Sequence, residues 1–168
     1  MHQDVLRGLS TPVLELRNGR RSGEPGMRPP RRHLHEVPEP RGRKSHVRLL
    51  VADDDRRVRM LVRAQMAGTE IDVLEAADGH HALLRVEFED PDAVLLDWRM
   101  PGGGLPLVRA LVNEHRLGGR VIMLSSIVDP RDRLEARRAG VARYLLKPPE
   151  RDVLLAAVRA AAAHARVA

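Results

Sequence analysis

The chain predicts an α/β fold built on a parallel five-stranded sheet, and three observations carry that reading. Between residues 47 and 168, five apolar runs of strand length alternate with five segments of helical period. Four of the runs are of buried type, with three or four consecutive apolar or aromatic residues, as expected of strands covered on both faces. Four of them end in a reactive polar group. Leu49-Leu50-Val51-Ala52 runs into Asp53-Asp54-Asp55, and Ala93-Val94-Leu95-Leu96 into Asp97. Val121-Ile122-Met123-Leu124 ends at Ser125-Ser126, and Tyr144-Leu145-Leu146 at Lys147-Pro148. Open parallel sheets bind ligands at the carboxyl ends of their strands, so carboxylates, hydroxyl and ammonium are expected to converge on one small site.

The elements follow in order. The first strand spans about 47–52. The helix after it carries Val58, Leu61, Val62 and Met66 at helical spacing, with Asp55 as its cap and Gly68 beyond its end. The second strand is near 71–75, and Asp78-Gly79 opens a helix over about 79–89 that Pro91 stops. The third strand is 93–97. Gly102-Gly103-Gly104 forms a loop, and Pro106 suits the first turn of a helix reaching about His115. Gly118-Gly119 leads into a fourth strand over 120–125, and Asp129-Pro130 starts a helix ending at Gly140. The fifth strand is 142–146. The last helix, about 150–165, sets Val153, Leu154, Ala157, Val158 and Ala161 on one face.

Residues 1–46 are of a different kind. They hold 6 of the chain's 12 prolines and 5 of its 13 glycines, and 10 basic against 5 acidic residues. Such a segment lacks the apolar surface to offset its ordering entropy and is expected to be a disordered basic extension. It is a tail that touches nucleic acid or acidic lipid, a solvated leader, or the product of a wrongly assigned start codon. The remaining 19 basic and 18 acidic residues leave 47–168 near neutrality, which weighs against a nucleic-acid role for the folded part. The chain has no cysteine, so a disulfide framework, a thiolate metal site and a cysteine nucleophile are excluded. No apolar stretch approaches the roughly 18 residues of a membrane span, and no secretory h-region is present, so a cytoplasmic protein is expected. Phe88, Trp98 and Tyr144 are the only aromatic residues besides histidine, too few for a base-stacking platform.

The motifs Val94-Leu95-Leu96-Asp97-x-x-Met100-Pro101-Gly102 and Gly140-x-x-x-Tyr144-Leu145-Leu146-Lys147-Pro148-Pro149, with an acidic first strand end and a hydroxyl-ended fourth strand, occur together and in order. On these residues 47–168 resembles the receiver domain of bacterial two-component response regulators. The resemblance implies a flavodoxin-like (βα)5 sandwich with strand order 2-1-3-4-5, an order for which a chemotaxis receiver is a standard example. It implies Asp97 as phospho-acceptor, Asp53 and Asp54 as the acidic pair, Ser125 as the conserved hydroxyl, Lys147 as the conserved lysine and Tyr144 as the switch aromatic. It also implies a cis peptide at Lys147-Pro148. A carboxylate attacks a phosphoryl group poorly because both are negative, and Mg²⁺ with oxygen ligands removes that obstacle. By resemblance Asp54, Asp97 and the Arg99 backbone carbonyl bind the ion directly, and Asp53 through water. Ser125 and Lys147 then stabilise the phosphoryl oxygens.

Simpler readings stand beside these. An isolated Asp triplet is usually a solvated turn and helix cap, and Asp55 keeps that role here. Ser126 rivals Ser125. Tyr144 alone is an ordinary half-buried aromatic, and His80 and His81 are expected at the surface. Arg131, Arg133, Arg137 and Arg138 crowd the fourth helix as a solvated face by default, although that face adjoins the receiver output surface. The family often reads Met-Pro-x-Met-Asp-Gly after the acceptor, whereas this chain has Met100-Pro101-Gly102-Gly103-Gly104-Leu105, one residue shorter and without the acid. Arg99 and Ile127 occupy positions that commonly tune dephosphorylation.

Because the fifth helix ends near Arg166 and the sequence stops at Ala168, the expectation is a stand-alone response regulator without a DNA-binding domain. It is not an enzyme beyond its self-phosphorylation and autodephosphorylation. It receives phosphate from a sensor histidine kinase or a histidine phosphotransfer protein and signals through the fourth helix, fifth strand and fifth helix to a downstream protein. The Ala-rich fifth helix also allows a weak homodimer. The alternatives are a phosphorelay shuttle to a histidine phosphotransfer protein, a non-phosphorylated receiver-like adaptor using its basic tail, and a metal-dependent phosphatase, which lacks the length for a substrate cap.

Overall fold

The computed structural model describes residues 46–127 and 129–165. The disorder expected of residues 1–46 therefore lies, but for His46, outside the described residues, and the last helix, expected to reach about Arg166, ends at His164. The order is β1 (Val47–Ala52), α1 (Arg56–Met66), β2 (Ile71–Ala76), α2 (Gly79–Glu89), β3 (Ala93–Asp97), α3 (Gly104–Arg109), β4 (Val121–Ser125), α4 (Pro130–Arg138), β5 (Arg143–Leu146) and α5 (Arg151–His164). All four strand pairings are parallel and the sheet order is β2-β1-β3-β4-β5. The fold class and topology expected from the sequence are those observed.

Pleating explains the two cores. Alternate residues of a strand face opposite sides of the sheet. Leu49, Val51, Leu95, Ile122 and Leu124 face one side, where Val62 and Met66 of α1 and Leu154, Ala157, Val158 and Ala161 of α5 cover them. Leu50, Ala52, Val94 and Leu96 face the other, under Ala82 and Val86 of α2 and Leu107 and Val108 of α3. Every residue of β3 and of β4 is buried, which is why these strands read as unbroken apolar runs.

Three details depart from the sequence reading. Val153, expected on the buried face of α5, is 47% exposed, and Leu61 on α1 is 38% exposed. Val62 and Met66 make the α1 contact and Leu154, Ala157, Val158 and Ala161 that of α5, so each contact stripe is narrower than the helix's apolar residues suggest. The helix predicted to run to His115 is regular only to Arg109, after which Ala110–Glu114 forms a π-helical turn. His115 N–H donates to Ala110 O at 3.2 Å and Leu117 N–H to Leu111 O at 2.9 Å. The widened turn keeps both Leu111 and Leu117 buried in the α2/α3 core. Among the described residues no helix is long and apolar enough to cross a membrane.

Candidate functional site

The carboxyl ends of β1, β3, β4 and β5 lie side by side, and each delivers one of the expected groups. Asp97 is the last residue of β3 and pairs in register with Leu124. Asp53 follows β1, and its N–H continues the ladder to Ala76 O at 3.1 Å. Lys147 follows β5 and donates its N–H to Ser125 O at 2.9 Å. The ladder thus holds the backbone of each site residue before any side chain acts. The Lys147–Pro148 peptide is cis, as the resemblance implied.

The three consecutive aspartates separate by function. Asp55 is exposed and caps α1, accepting the Arg57 N–H at 2.8 Å. Asp53 is buried, and its Oδ1 accepts the Asp55 N–H at 3.0 Å. Asp54 is exposed, yet its carboxylate belongs to one group with those of Asp53 and Asp97, one oxygen from each lying within 4.8 Å of the other two. Asp97 is buried, and its Oδ1 accepts the Arg99 N–H at 3.1 Å.

Lys147 joins the acids. Its Nζ lies 2.6 Å from Asp53 Oδ2 and 3.0 Å from Asp97 Oδ2. Three carboxylates against one ammonium leave two negative charges when all are ionised. Hard oxygen donors with that deficit suit a small divalent cation, so Asp53, Asp54 and Asp97 fit Mg²⁺. Burial raises the pKa of Asp53; the bond to Lys147 and the Asp55 N–H oppose that rise, and the charge of Asp97 adds to it. For Lys147 burial acts downward, but the bonds to Asp53 and Asp97 outweigh it and the ammonium is held above its ordinary value.

The signs of these shifts are opposite in their effect on stability. The raised pKa of Asp53 means the folded state binds this proton more readily than the unfolded chain, so the ionised carboxylate burdens the fold above that pKa and the burden lifts as pH falls through it. The contribution of Lys147 is fully present below its ordinary value of 10.5 and is lost as pH rises through the higher folded value. Asp53→Asn is therefore expected to raise stability at neutral pH by about 1 kcal/mol, a Tm increase of about 4 °C, and to shrink the thermal shift produced by Mg²⁺. Thermal melts of both proteins with and without the ion measure this. A lower Tm for the variant would contradict it.

Ser125 is buried at the end of β4 and Ser126 is exposed, which resolves the choice between them in favour of Ser125 as the inward hydroxyl. Ser125 Oγ donates to Ile127 O at 3.0 Å and accepts the Ile127 N–H at 3.3 Å. The half-buried Tyr144 donates its hydroxyl to the same Ile127 carbonyl. The two residues that the resemblance marks as the switch thus share one backbone acceptor. His80 and His81 are exposed, and His81 pairs with Asp78 at 2.9 Å, away from the acidic group.

Several supporting residues were not legible beforehand. Arg59 donates from Nη1 to Asp53 O at 2.7 Å and to Asp54 O at 3.3 Å, and from Nε to Glu75 at 3.1 Å, pinning the chain as it leaves β1. Gln65 Nε2 donates to Pro149 O at 2.9 Å, and Arg151 Nε to Gln65 O at 2.9 Å, tying the segment after Lys147 to α1. The short loop after Asp97 rests on the start of α2. Gly79 N–H donates to Pro101 O at 2.9 Å, and a Cβ on Gly79 would stand 2.0 Å from Gly102 O. Gly102 and Gly104 have φ of +68° and +72°, backbone open to glycine.

Similarity to known proteins follows the same lines. A family model described as the response regulator receiver domain matches residues 49–159. The transcriptional regulatory protein TcrA of Mycobacterium tuberculosis is 35% identical over 119 residues, which are 71% of this chain and 47% of the relative. The DNA-binding response regulator MtrA of Mycobacterium leprae is 33% identical over 114 residues, 67% of this chain and 50% of the relative. The chain spans about half the length of the curated relatives it matches. Among solved structures, the signal receiver domain of the response regulator NarL from Mycobacterium tuberculosis is similar with a TM-score of 0.64 and 35% identity, covering 71% of this chain and 98% of that one. The beryllofluoride-activated N-terminal receiver domain of Klebsiella pneumoniae RstA is similar with a TM-score of 0.62 and 29% identity, covering 68% and 97%.

Proposed function

The chain belongs to the response regulator receiver domain family, and from that premise we propose that Asp97 accepts a phosphoryl group from the phosphohistidine of a partner kinase in the cytoplasm. The observation that carries this reading is the Lys147 ammonium seated on both Asp97 and Asp53 inside a three-carboxylate group. Bound Mg²⁺ supplies charge neutralisation between the acceptor and the incoming phosphoryl oxygens. Everything else comes from the chain. The Arg99 N–H holds Asp97 by Oδ1. A carboxylate oxygen of Asp97 forms the new bond to phosphorus as the bond to the donor nitrogen breaks, and the electron pair stays with the imidazole. Lys147 then pairs with a phosphoryl oxygen in place of part of its contact with Asp97. The protein needs no separate catalytic centre for this, since donor and acceptor supply the reacting atoms.

The output follows from the shared acceptor. When Ser125 turns its hydroxyl from Ile127 O to the phosphoryl group, the carbonyl keeps Tyr144 as its side-chain donor, and the segment between β4 and α4 is free to shift. The face formed by α4, β5 and α5 carries the change to a protein partner. Beryllofluoride, which stands in for an aspartyl phosphate, tests this in two readouts. With Mg²⁺ it is expected to change the emission of Trp98, the chain's one tryptophan and the neighbour of Asp97, and to move the amide resonances of α4 and β5. A change at Trp98 with no movement at α4 and β5 would overturn the output reading while leaving the acceptor in place.

A further inference from the structure

The groove between α4 and β5 differs from the rest of the surface in its charge. It encloses about 390 Å³, and its lining residues include Arg133 and Arg137 of α4 and Arg143 of β5, with Ala136, Val141 and Tyr144 below them. All the charged residues that line it are arginines. All three are exposed, and none pairs with a carboxylate among the described residues. The acids of α4 point elsewhere. Asp132 lies 3.7 Å from Arg99, and Glu135 lines the opposite groove with Arg138. A solvated helix face would mix signs along its length, as salt-bridged surface helices do. Here Arg133 and Arg137 of α4 meet Arg143 of β5 with no acid among the residues that line the groove, and Tyr144 forms part of its floor.

We propose that this groove binds an acidic segment of a partner protein in extended conformation. The proposal rests on the output face described above and names the chemistry of its partner. Arg133 and Arg137 are one helical turn apart, so their side chains leave the helix about 6 Å from each other. Alternate residues of an extended strand are about 7 Å apart, which lets two carboxylates on one side of the segment meet the two guanidiniums. Each guanidinium offers a planar fork suited to a carboxylate. A second copy seated groove to groove would bring arginine against arginine. Nucleic acid needs a broad positive field, whereas residues 47–168 hold 19 basic and 18 acidic residues and are close to neutral. The Tyr144 hydroxyl ties the floor to Ile127 O and so to Ser125, and a segment seated there meets the residue that responds to the acceptor.

The test uses the full chain and fluorescence anisotropy at about 0.15 M salt, where weak surface attractions are screened. The probes are a labelled eight-residue peptide alternating glutamate with alanine, its glutamine counterpart, and labelled octathymidylate. The glutamate peptide is expected to bind the native chain, and Arg133→Glu with Arg137→Glu to weaken it by about tenfold. Arg138→Glu, on the far side of α4, is expected to change it by less than about twofold. The basic N-terminal segment is present in every variant and contributes equally. Should the double variant melt early, Arg143→Glu reads the same groove from β5. Equal loss in Arg138→Glu, no discrimination against the glutamine peptide, or octathymidylate bound as tightly with the same arginine dependence would each overturn the assignment. Binding that depends on the three arginines but ignores Mg²⁺ and beryllofluoride would uphold the groove and defeat the phosphorylation-controlled output.

Discussion

Lys147→Met is expected to lower stability by about 3 kcal/mol in metal-free buffer. Methionine keeps the apolar stem but leaves Asp53 Oδ2 and Asp97 Oδ2 without the ammonium that now stands 2.6 Å and 3.0 Å from them. Both carboxylates are buried, so water does not replace it. Mg²⁺ is expected to restore much of the loss, because the ion would supply positive charge to the same group of carboxylates. The Mg²⁺-induced rise in Tm is then larger in the variant than in the native chain. A variant within about 0.5 kcal/mol of native in the absence of metal would mean that the ion pairs are not formed in solution. The same variant is expected to lose phosphoryl acceptance even where Mg²⁺ restores its fold, since no other ammonium lies among the described site residues.

Gly79→Ala is expected to cost about 3 kcal/mol and to slow phosphoryl acceptance. The added Cβ would stand 2.0 Å from Gly102 O and 2.6 Å from Gly102 C, so the conflict is with backbone on both sides and no rotamer relieves it. Either α2 retreats from the sheet, opening the contacts of Ala82 and Val86, or the Pro101–Gly104 loop lifts and carries the peptide after Asp97 with it. Gly68→Ala is the matching control. Its φ of +75° also disfavours alanine, but nothing lies within 4 Å of the added Cβ, so it perturbs a turn without touching the site. Denaturant melts measure the stability of both variants, and acceptance rates separate them. If Gly79→Ala were as stable and as fast as Gly68→Ala, the loop would not be braced by α2.

How far the site could be read in the sequence depended on where the signal lay. Asp97, Ser125 and Lys147 each end an apolar strand, and in a parallel sheet those ends are neighbours whatever the intervening helices do. Asp53, Asp54 and Asp55 were divided beforehand only by the resemblance and by the helix start, because three identical side chains at one strand end differ only in burial and in what their oxygens meet. Arg59, Gln65 and Gly79 gave no warning. They act on backbone atoms of distant residues, and a carbonyl such as that of Ile127 or Pro149 carries no side-chain identity to betray it. Gly79 reads as one more helix opening after Asp78, and its partner is 23 residues away. The π-helical turn at Ala110–Glu114 was hidden for a related reason: Leu111 and Leu117 fit no helical period, and only the α2/α3 core explains why both turn inward.

Intact mass after incubation with phosphoramidate tests the central claim most directly, run with and without Mg²⁺ and beside Asp97→Asn. One added phosphoryl group in the native chain, dependent on Mg²⁺ and absent from Asp97→Asn, is the expected result. An equal gain in Asp97→Asn, or no gain in the native chain under conditions where Mg²⁺ raises its Tm, would contradict Asp97 as the acceptor.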